Sequence, residues 1–257
     1  MRKRSEVLKD VAERLSFFSE AGAGFARRGT ARPKPAAPRV PARSQTAPPV
    51  VAPAGRVETA APAAPAVQAA LQVSFPELEE RVLACRLCPL ALTRTHAVPG
   101  EGSRETELMF VGEGPGRDED IQGRPFVGRA GQLLTKIIEA MRFKREEVYI
   151  TNVVKCRPPE NRTPLPAEIQ ACCPYLLRQV DLIAPRVIVT LGKTATDFFV
   201  PGRASMGERR GQFARFHGIE IMPTYHPSYL VRNEGNREIR RQVWDDMQKV
   251  MALLGKK

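Results

Sequence analysis

Three polar side chains suited to chemistry lie at the ends of apolar runs. Glu113 comes directly after "ELMFVG", Asn152 ends "EVYITN", and His226 lies in "YHPSYL" after "IEIMPT". A carboxamide such as Asn152 offers a donor and an acceptor, so it can read the edge of an amide-like ring, although asparagine also caps strand ends. His226, one of three histidines in the chain, could equally belong to a surface turn in which Pro227 fixes φ. The choice depends on whether the fold brings the three side chains together.

Four cysteines are spaced as ligands of a metal centre. Cys85 and Cys88 form a C-x-x-C pair, and Cys156 and Cys172 follow with fifteen residues between them. Four thiolates can hold a tetrahedral zinc ion or an iron–sulfur cluster, and the spacing alone does not choose between the two. Cys173 is a second candidate for the fourth ligand. Neighbouring residues on a helix point about 100° apart, so one of the pair can face the metal and the other cannot.

The remaining short motifs give weaker indications. "GEGPG" (112–116) is an incomplete dinucleotide-binding loop, and "LGKT" (191–194) lacks the first glycine of a phosphate-binding loop. The carboxylates at 118–120 could bind a divalent cation or form a solvated turn, with Glu119 and Asp120 the better candidates for a site. Phe126, in "GRPFVGRAGQLL", is either part of a small satellite core or a platform on which a base stacks.

The elements that position these residues alternate along the chain. Four runs rich in β-branched and aromatic residues predict strands at 107–113, 147–154, 186–192 and 219–225. Amphipathic patterns predict helices at 130–141, 166–183, 192–199 and 236–253. This alternation predicts a three-layer α/β/α sandwich around a central four-stranded parallel sheet. Ligands of such sheets bind beyond the carboxyl ends of the strands, where Glu113, Asn152 and His226 would converge.

Charge is concentrated in the N-terminal part of the chain. The protein has 40 Lys and Arg against 28 Asp and Glu, a net charge of +12. Residues 1–67 hold twelve basic and five acidic groups, whereas residues 68–257 hold 28 and 23. Basic character suggests an anionic partner, but the part that resembles a folded domain carries little of it. The sites, and not the net charge, must therefore carry any argument for nucleic-acid binding.

The N-terminal third differs from the rest in composition. Apolar residues at helical spacing predict a short amphipathic helix within 1–30, which could contact a protein partner. Residues 31–70 are rich in Pro and Ala and poor in large apolar side chains, so we expect a disordered basic tether. No apolar run approaches the roughly 20 residues that span a bilayer. We expect a cytoplasmic protein whose cysteines bind metal and do not form disulfides.

Together these motifs resemble those of the family 4 uracil-DNA glycosylases, the iron–sulfur members of the uracil-DNA glycosylase superfamily. The resemblance covers residues 75 to 253 and assigns 75–257 to a glycosylase domain. It rests on the four-cysteine pattern and on "GEGPGRDED", "GRPFVGRAG", "YITNVVKCRPPENRTP" and "HPSYL".

The resemblance implies removal of uracil from DNA by cleavage of its N-glycosidic bond, which leaves an abasic site. The uracil would be flipped out of the base stack to reach the enzyme. Phe126 would then stack on it and Asn152 would read its edge. His226 would donate a hydrogen bond to O2 of the uracil, where negative charge accumulates as the bond breaks.

The same resemblance bears on the attacking water. Gly114 stands where other members of the superfamily have a water-activating aspartate, so Glu113 or Glu119 would orient or activate the water. Gly114 would also let the backbone approach the base. The loop "RPPENRTP" contains no histidine, and we therefore do not expect covalent capture of the abasic sugar, which a related branch performs through a histidine.

The resemblance also implies a cofactor and a DNA surface. A [4Fe–4S] cluster of structural role would be held by Cys85, Cys88, Cys156 and Cys172, with Cys173 outside the motif. Candidate DNA contacts are Arg157, Asn161, Arg162, Ser228 and Arg232. We expect a monomer that binds uracil-containing DNA and no membrane. The alternatives are a non-catalytic nucleic-acid-binding module and a magnesium-dependent nucleotide hydrolase that uses Asp118 and Asp120.

Overall fold

A computed structural model describes residues 73–256 of the 257-residue chain. The predicted helix within 1–30 and the tether at 31–70 lie outside the described residues. No helix within 73–256 is long and apolar enough to cross a membrane.

The described residues form one six-stranded sheet. Its strands are β1 Glu101–Gly102, β2 Leu108–Gly112, β3 Tyr149–Asn152, β4 Val187–Leu191, β5 Ala214–Phe216 and β6 Ile219–Thr224. The order across the sheet is β1-β3-β2-β4-β6-β5. The four inner strands are parallel, as predicted. The two edge strands are antiparallel to their neighbours and were not predicted. The prediction of a four-stranded sheet was therefore incomplete, because strands of two and three residues are too short to show an alternating pattern.

Helices cover both faces of the sheet. They are α1 Phe75–Ala84, α2 Arg117–Gln122, α3 Arg129–Ala140, α4 Pro166–Ile183, α5 Lys193–Phe199, α6 Met206–Arg209, α7 Pro227–Arg232 and α8 Arg237–Leu253. The four predicted helices correspond to α3, α4, α5 and α8. Pro166 and Pro227 each stand in the first turn of a helix, where a missing backbone N–H costs nothing.

Strand alternation divides the core into two layers. On β2, Met109 and Val111 face one layer with α1, α4 and α5, while Leu108 and Phe110 face the other with α3 and α8. Successive side chains of a strand point to opposite faces, so a strand that is apolar throughout must be covered on both sides. Each fully buried side chain of this kind stabilises the fold by about 1.5–3 kcal/mol. The three-layer α/β/α architecture is thus confirmed.

Candidate active site and cysteine cavity

A cavity of about 510 Å³ lies at the carboxyl ends of the inner strands. Gly112 pairs with Asn152 and Leu191 with Thr224, so the four strands end at one edge of the sheet. Apart from the cysteine pattern, each motif on which the family resemblance rests contributes predicted residues to the lining: Glu113, Gly114, Glu119, Phe126, Asn152, Asn161, Arg162, His226 and Ser228, with Arg232 beyond the last motif. Arg157 lies outside this lining, and its Nε donates to Oδ1 of Asn161 at 2.7 Å.

Asn152 presents its carboxamide to the cavity from the last residue of β3. The residue is 1% exposed, and its Oδ1 has no hydrogen-bond partner among the residues that the structure describes. A Cβ at Gly112, the neighbour across the sheet, would overlap this oxygen and lie 2.5 Å from Cζ of Phe126. Leaving a buried acceptor unpaired costs roughly 1–3 kcal/mol. The oxygen is therefore suited to a donor that arrives with a ligand.

Phe126 lies in a loop with a constrained backbone. Its φ of 51° falls in the left-handed region that bulky residues rarely adopt. Gly131 on α3 lies against this backbone, and a Cβ there would overlap the Phe126 carbonyl. The loop is also tied to the carboxylate of Glu119. That carboxylate accepts three backbone N–H groups, from Gly116 at 3.0 Å and from Val127 and Gly128 at 2.9 Å each.

His226 precedes α7 and caps it. Its Nδ1 accepts the backbone N–H of Ser228 at 3.1 Å and lies 2.8 Å from the Ser228 hydroxyl oxygen. A ring nitrogen that accepts an N–H carries no proton, so in the neutral ring the proton is on Nε2. The sequence "HPS" therefore selects the tautomer that can donate through Nε2.

Burial and the nearby positive charge of Arg232 lower the pKa of His226 to about 4. The imidazole is consequently neutral near pH 7. The ring of Phe126 lies beside it, with the two ring centroids 5.7 Å apart and the planes inclined by 31°.

Glu113 follows β2 and is half-buried in the cavity wall. Burial raises the pKa of its carboxyl group, and a hydrogen bond donated by the hydroxyl of Thr194 opposes that rise. Thr194 belongs to α5, so a side chain of the "LGKT" segment supports the site. The segment itself is a strand leading into a helix, as interpreted from the sequence.

One loop of the cavity mouth is fixed by an ion pair. The two terminal nitrogens of Arg162 donate to the carboxylate of Glu168 at 2.8 and 2.6 Å. Glu168 is 2% exposed and also accepts the backbone N–H of Leu165 at 2.7 Å in the first turn of α4. Arg232 also lines the cavity and donates to Oγ of Ser228 at 3.3 Å.

The four predicted cysteine ligands line one small cavity. Cys85, Cys88, Cys156 and Cys172 share it, whereas Cys173 donates through its thiol to the backbone carbonyl of Gln170 at 3.3 Å. Two of the sulfurs accept hydrogen bonds. Arg94 donates to Cys156 at 2.9 Å, and the backbone N–H of Lys155 donates to Cys172 at 3.2 Å.

Burial disfavours the charged thiolate form of three of these cysteines. Burial raises the pKa of Cys88 to about 11 and also raises the pKa of Cys156 and Cys172. No group of three or more Cys, His, Asp or Glu within 73–256 is arranged around a single metal ion. The donor set is nonetheless all thiol, which suits zinc or an iron–sulfur cluster.

The acidic stretch at 118–120 does not form a common site. Asp120 is buried and its carboxylate accepts the backbone N–H of Thr95 at 2.9 Å. Asp118 is exposed, and Glu119 is held by the three amides described above. These contacts do not support the nucleotide-hydrolase alternative.

Sequence comparison identifies the family of this fold and site. Residues 99–248 match the family described as the uracil DNA glycosylase superfamily. A type-4 uracil-DNA glycosylase of Thermotoga maritima is 52% identical over 181 residues, which cover 70% of this chain and 94% of the relative. A type-4 enzyme of Archaeoglobus fulgidus is 40% identical over 197 residues, covering 72% and 95%. A type-5 uracil-DNA glycosylase of Pyrobaculum aerophilum is 30% identical over 155 residues, covering 54% and 68%.

The chain therefore belongs to the uracil DNA glycosylase superfamily and, within it, to the type 4 uracil-DNA glycosylases. The resemblance stated from the motifs is thus confirmed.

Three residues that support the site escaped the sequence analysis. Thr194 was visible only inside a motif that fails as a phosphate loop. Glu168 follows Pro166 at the third position of a helix, a readable capping signal whose partner, Arg162, was not. Lys155, buried beside the cysteines, carried one signal in sequence, a lysine within the apolar run "NVVKC".

Proposed function

We propose that this protein excises uracil from DNA, releasing the free base and leaving an abasic site for base excision repair. Its family makes it a uracil-DNA glycosylase, a hydrolase of N-glycosyl bonds. The residue roles below are our proposal, and the unpaired Oδ1 of Asn152 is the observation that carries them.

Asn152 reads the base. Uracil presents an N3–H donor beside its O4 acceptor, and a carboxamide can accept from the first through Oδ1 and donate to the second through Nδ2. Cytosine presents an acceptor at N3 and a donor at N4, so both contacts would fail with the carboxamide in this orientation. A site built around matched hydrogen bonds penalises the wrong partner because its buried polar groups stay unpaired.

Phe126 supports the flipped base by stacking. The base must leave the helix to enter a cavity at the end of a sheet, and an aromatic face compensates part of the lost stacking. The constrained loop of Phe126, held by Glu119 and Gly131, supports this role because a platform must be rigid to orient the base.

His226 stabilises the departing uracil. Breaking the N-glycosidic bond leaves negative charge on the ring, and the Nε2–H of a neutral imidazole can donate to O2. A preorganised donor of this kind contributes on the order of 3 kcal/mol to the transition state. The saturation of Nδ1 by Ser228 supports this assignment because it keeps the proton on the other nitrogen.

Glu113 orients the attacking water. Its carboxylate lines the cavity and, among residues 73–256, accepts a side-chain hydrogen bond from Thr194 alone, whereas the carboxylate of Glu119 accepts three backbone amides. We therefore assign the water to Glu113 and the Phe126 loop to Glu119. Gly114 also lines the cavity, and we propose that it lets the backbone approach the base. A Cβ there would lie 2.7 Å from Cγ2 of Val154, so the position has little room for a side chain.

Cys85, Cys88, Cys156 and Cys172 would hold a [4Fe–4S] cluster. When bound, such a cluster supplies a rigid covalent tie between segments that are distant in sequence. Arg94 and the backbone N–H of Lys155 donate to two of the sulfurs, which is the outer-shell pattern typical of thiolate centres.

The DNA would cross the mouth of the cavity. Ser228, Asn161, Arg162 and Arg232 line that mouth and Arg157 adjoins it through Asn161. We propose that these residues contact the backbone of the DNA, that the enzyme acts as a monomer, and that the N-terminal 30 residues contact a protein partner.

The decisive test is excision from an oligonucleotide with a single uracil, followed by alkali to cleave abasic sites. Wild-type protein should cleave in the presence of EDTA. Asn152→Ala should lose about 100-fold in kcat/KM, from two hydrogen bonds of about 1.5 kcal/mol each, and should still bind uracil-free DNA. Gln248→Ala, which removes an exposed carboxamide on α8, is the control. Intact strands with wild-type protein would favour the binding module, and normal excision by Asn152→Ala would remove Asn152 from the site.

A further inference from the structure

Lys155 is buried without a compensating acidic side chain. It is 1% exposed, and none of the ion pairs found within residues 73–256 includes it. Burying an ammonium group is costly unless its charge is compensated and its donors are satisfied. A glycosylase that needed only an apolar core here would be more stable with an apolar side chain.

The three N–H donors of the ammonium all find acceptors. Nζ donates to the backbone carbonyl of Asn152 at 2.8 Å, to Oε1 of Gln179 at 2.7 Å and to Oγ1 of Thr151 at 2.5 Å. These acceptors are neutral. They satisfy the hydrogen bonds of the ammonium group but do not compensate its positive charge. The contact with Asn152 reaches the residue whose carboxamide enters the base cavity.

The other end of the residue belongs to the cysteine cavity. The backbone N–H of Lys155 donates to Sγ of Cys172, Cys156 is the next residue, and Lys155 itself lines the cavity. Thiolates in that cavity would supply the negative charge that the surrounding neutral acceptors lack.

We propose that Lys155 is a positioning residue that couples the cysteine cavity to uracil recognition. Its ammonium is compensated by the cysteine thiolates of the bound cluster and in turn fixes the main chain of Asn152. This inference rests on the proposed cluster and on the proposed role of Asn152. Lys155 does not touch the base.

The test replaces Lys155 with methionine, which keeps the length of the side chain and removes its charge. Lys136→Met, at an exposed lysine of α3, is the matched control. The readouts are iron per chain, the rate of bleaching of the visible absorbance in chelator, the inhibition constant of free uracil, and the affinity for uracil-free DNA. Methionine keeps the backbone N–H that donates to Cys172, so the substitution removes only the side-chain charge and its hydrogen bonds. Loss of an outer-shell interaction typically weakens a metal site roughly 10- to 100-fold.

We expect Lys155→Met to bleach roughly 10-fold faster or more and to require more free uracil for inhibition, with unchanged affinity for uracil-free DNA. A purely structural role would change DNA affinity and uracil inhibition together. Wild-type rates of bleaching and wild-type uracil inhibition in Lys155→Met would overturn the proposal, and so would a parallel loss of all binding.

Thr151→Val keeps the test decisive if Lys155→Met does not fold. It removes one acceptor of the ammonium and leaves the lysine in place, so uracil inhibition should weaken in the same direction by a smaller factor. Unchanged inhibition in Thr151→Val would count against the coupling. Failure of the proposed function is separate, because it would appear as absent excision or absent iron in the wild-type protein.

Discussion

At the scale of single residues, His226 shows how a short motif selects a protonation state. The backbone N–H of Ser228 occupies Nδ1, and burial together with Arg232 lowers the pKa to about 4. A charged imidazole would have to give up the Ser228 contact, since both of its nitrogens would carry protons. The local geometry therefore favours the neutral imidazole that the proposed role of His226 requires.

The neutral state of His226 predicts a pH profile. Because the folded pKa lies below the unfolded value near 6.5, this residue contributes stability that is fully present above about pH 6.5 and is lost as the pH falls toward about 4. We expect the excision rate to show no histidine transition between about pH 6 and 8. His226→Ala should reduce the rate about 100-fold across that range. An acid limb centred near 6.5 that disappears in His226→Ala would contradict the assignment.

The hydrogen bond from Thr194 to Glu113 predicts how a substitution at Thr194 shifts the pKa of Glu113. Its hydroxyl opposes the rise that burial causes in the pKa of Glu113. Thr194→Val should therefore raise that pKa further, and the acid limb of the excision rate should move to higher pH. Thr194→Ser keeps the hydroxyl and should keep the wild-type profile. Single-turnover excision measured as a function of pH would test this. Identical acid limbs in all three proteins would show that the ionisation of Glu113 does not control the rate.

At the scale of elements, helix α3 and the Phe126 loop are packed through a glycine. A Cβ at Gly131 would overlap the backbone carbonyl of Phe126, and backbone cannot move aside as the end of a flexible side chain can. We expect Gly131→Ala to destabilise the protein by about 1–3 kcal/mol and to lower excision by displacing the aromatic platform. Urea unfolding and uracil release would measure the two effects.

Gly202→Ala is the control for this substitution, since a Cβ at Gly202 meets no atom within 4 Å. The packing argument fails if both variants have wild-type stability and activity. If Gly131→Ala is destabilised but excises normally, Phe126 does not depend on this contact.

Most of the longer elements could be predicted from continuous apolar runs or from a helical period. The inner strands β2, β3, β4 and β6 lie in runs rich in β-branched and aromatic residues, and the helices α3, α4, α5 and α8 repeat a helical period. The short helices α2, α6 and α7, of six, four and six residues, have too few turns to show a period. Helix α1 was also missed, although Ser74 and Glu77 form a capping box that the sequence displays.

The part of the site that lies at the strand ends could be predicted, because it depends only on the strands being parallel. Parallel strands place Glu113, Asn152 and His226 at one edge whatever the details of packing. The partners of these residues were not predictable. Thr194 meets Glu113 across 81 positions of sequence and Lys155 meets Gln179 across 24, and no local pattern encodes either distance.

At the scale of the whole molecule, helix α8 supports the strand end that precedes His226 through a buried ion pair. Asp246 on α8 is 0% exposed, forms an ion pair with Arg210 and accepts the hydroxyl of Thr224 at 2.6 Å. Thr224 ends β6, two residues before His226. The buried pair thus connects helix α8 to the end of the strand that precedes His226.

Charge is divided between two parts of the chain, and this division predicts separate roles. Residues 1–67 carry twelve basic and five acidic groups, a net charge of +7, yet the cavity and the cysteines lie within 73–256. The 181 residues aligned with the Thermotoga maritima relative cover 94% of that protein, so the relative has few residues outside the aligned region. Removing residues 1–67 should leave kcat at low salt unchanged.

The same truncation should weaken binding to uracil-free DNA and flatten its dependence on salt, because each phosphate that is no longer neutralised by a basic side chain reduces the slope of log affinity against log salt by about 0.9. Fluorescence anisotropy at several salt concentrations would measure the slope, and single-turnover excision would measure the chemistry. Replacing the basic residues of 31–67 with glutamine in the full-length chain is the control for length. If the truncated protein keeps the full slope, the N-terminal charges do not contact DNA, and the residues around the cavity mouth supply all of the phosphate contacts.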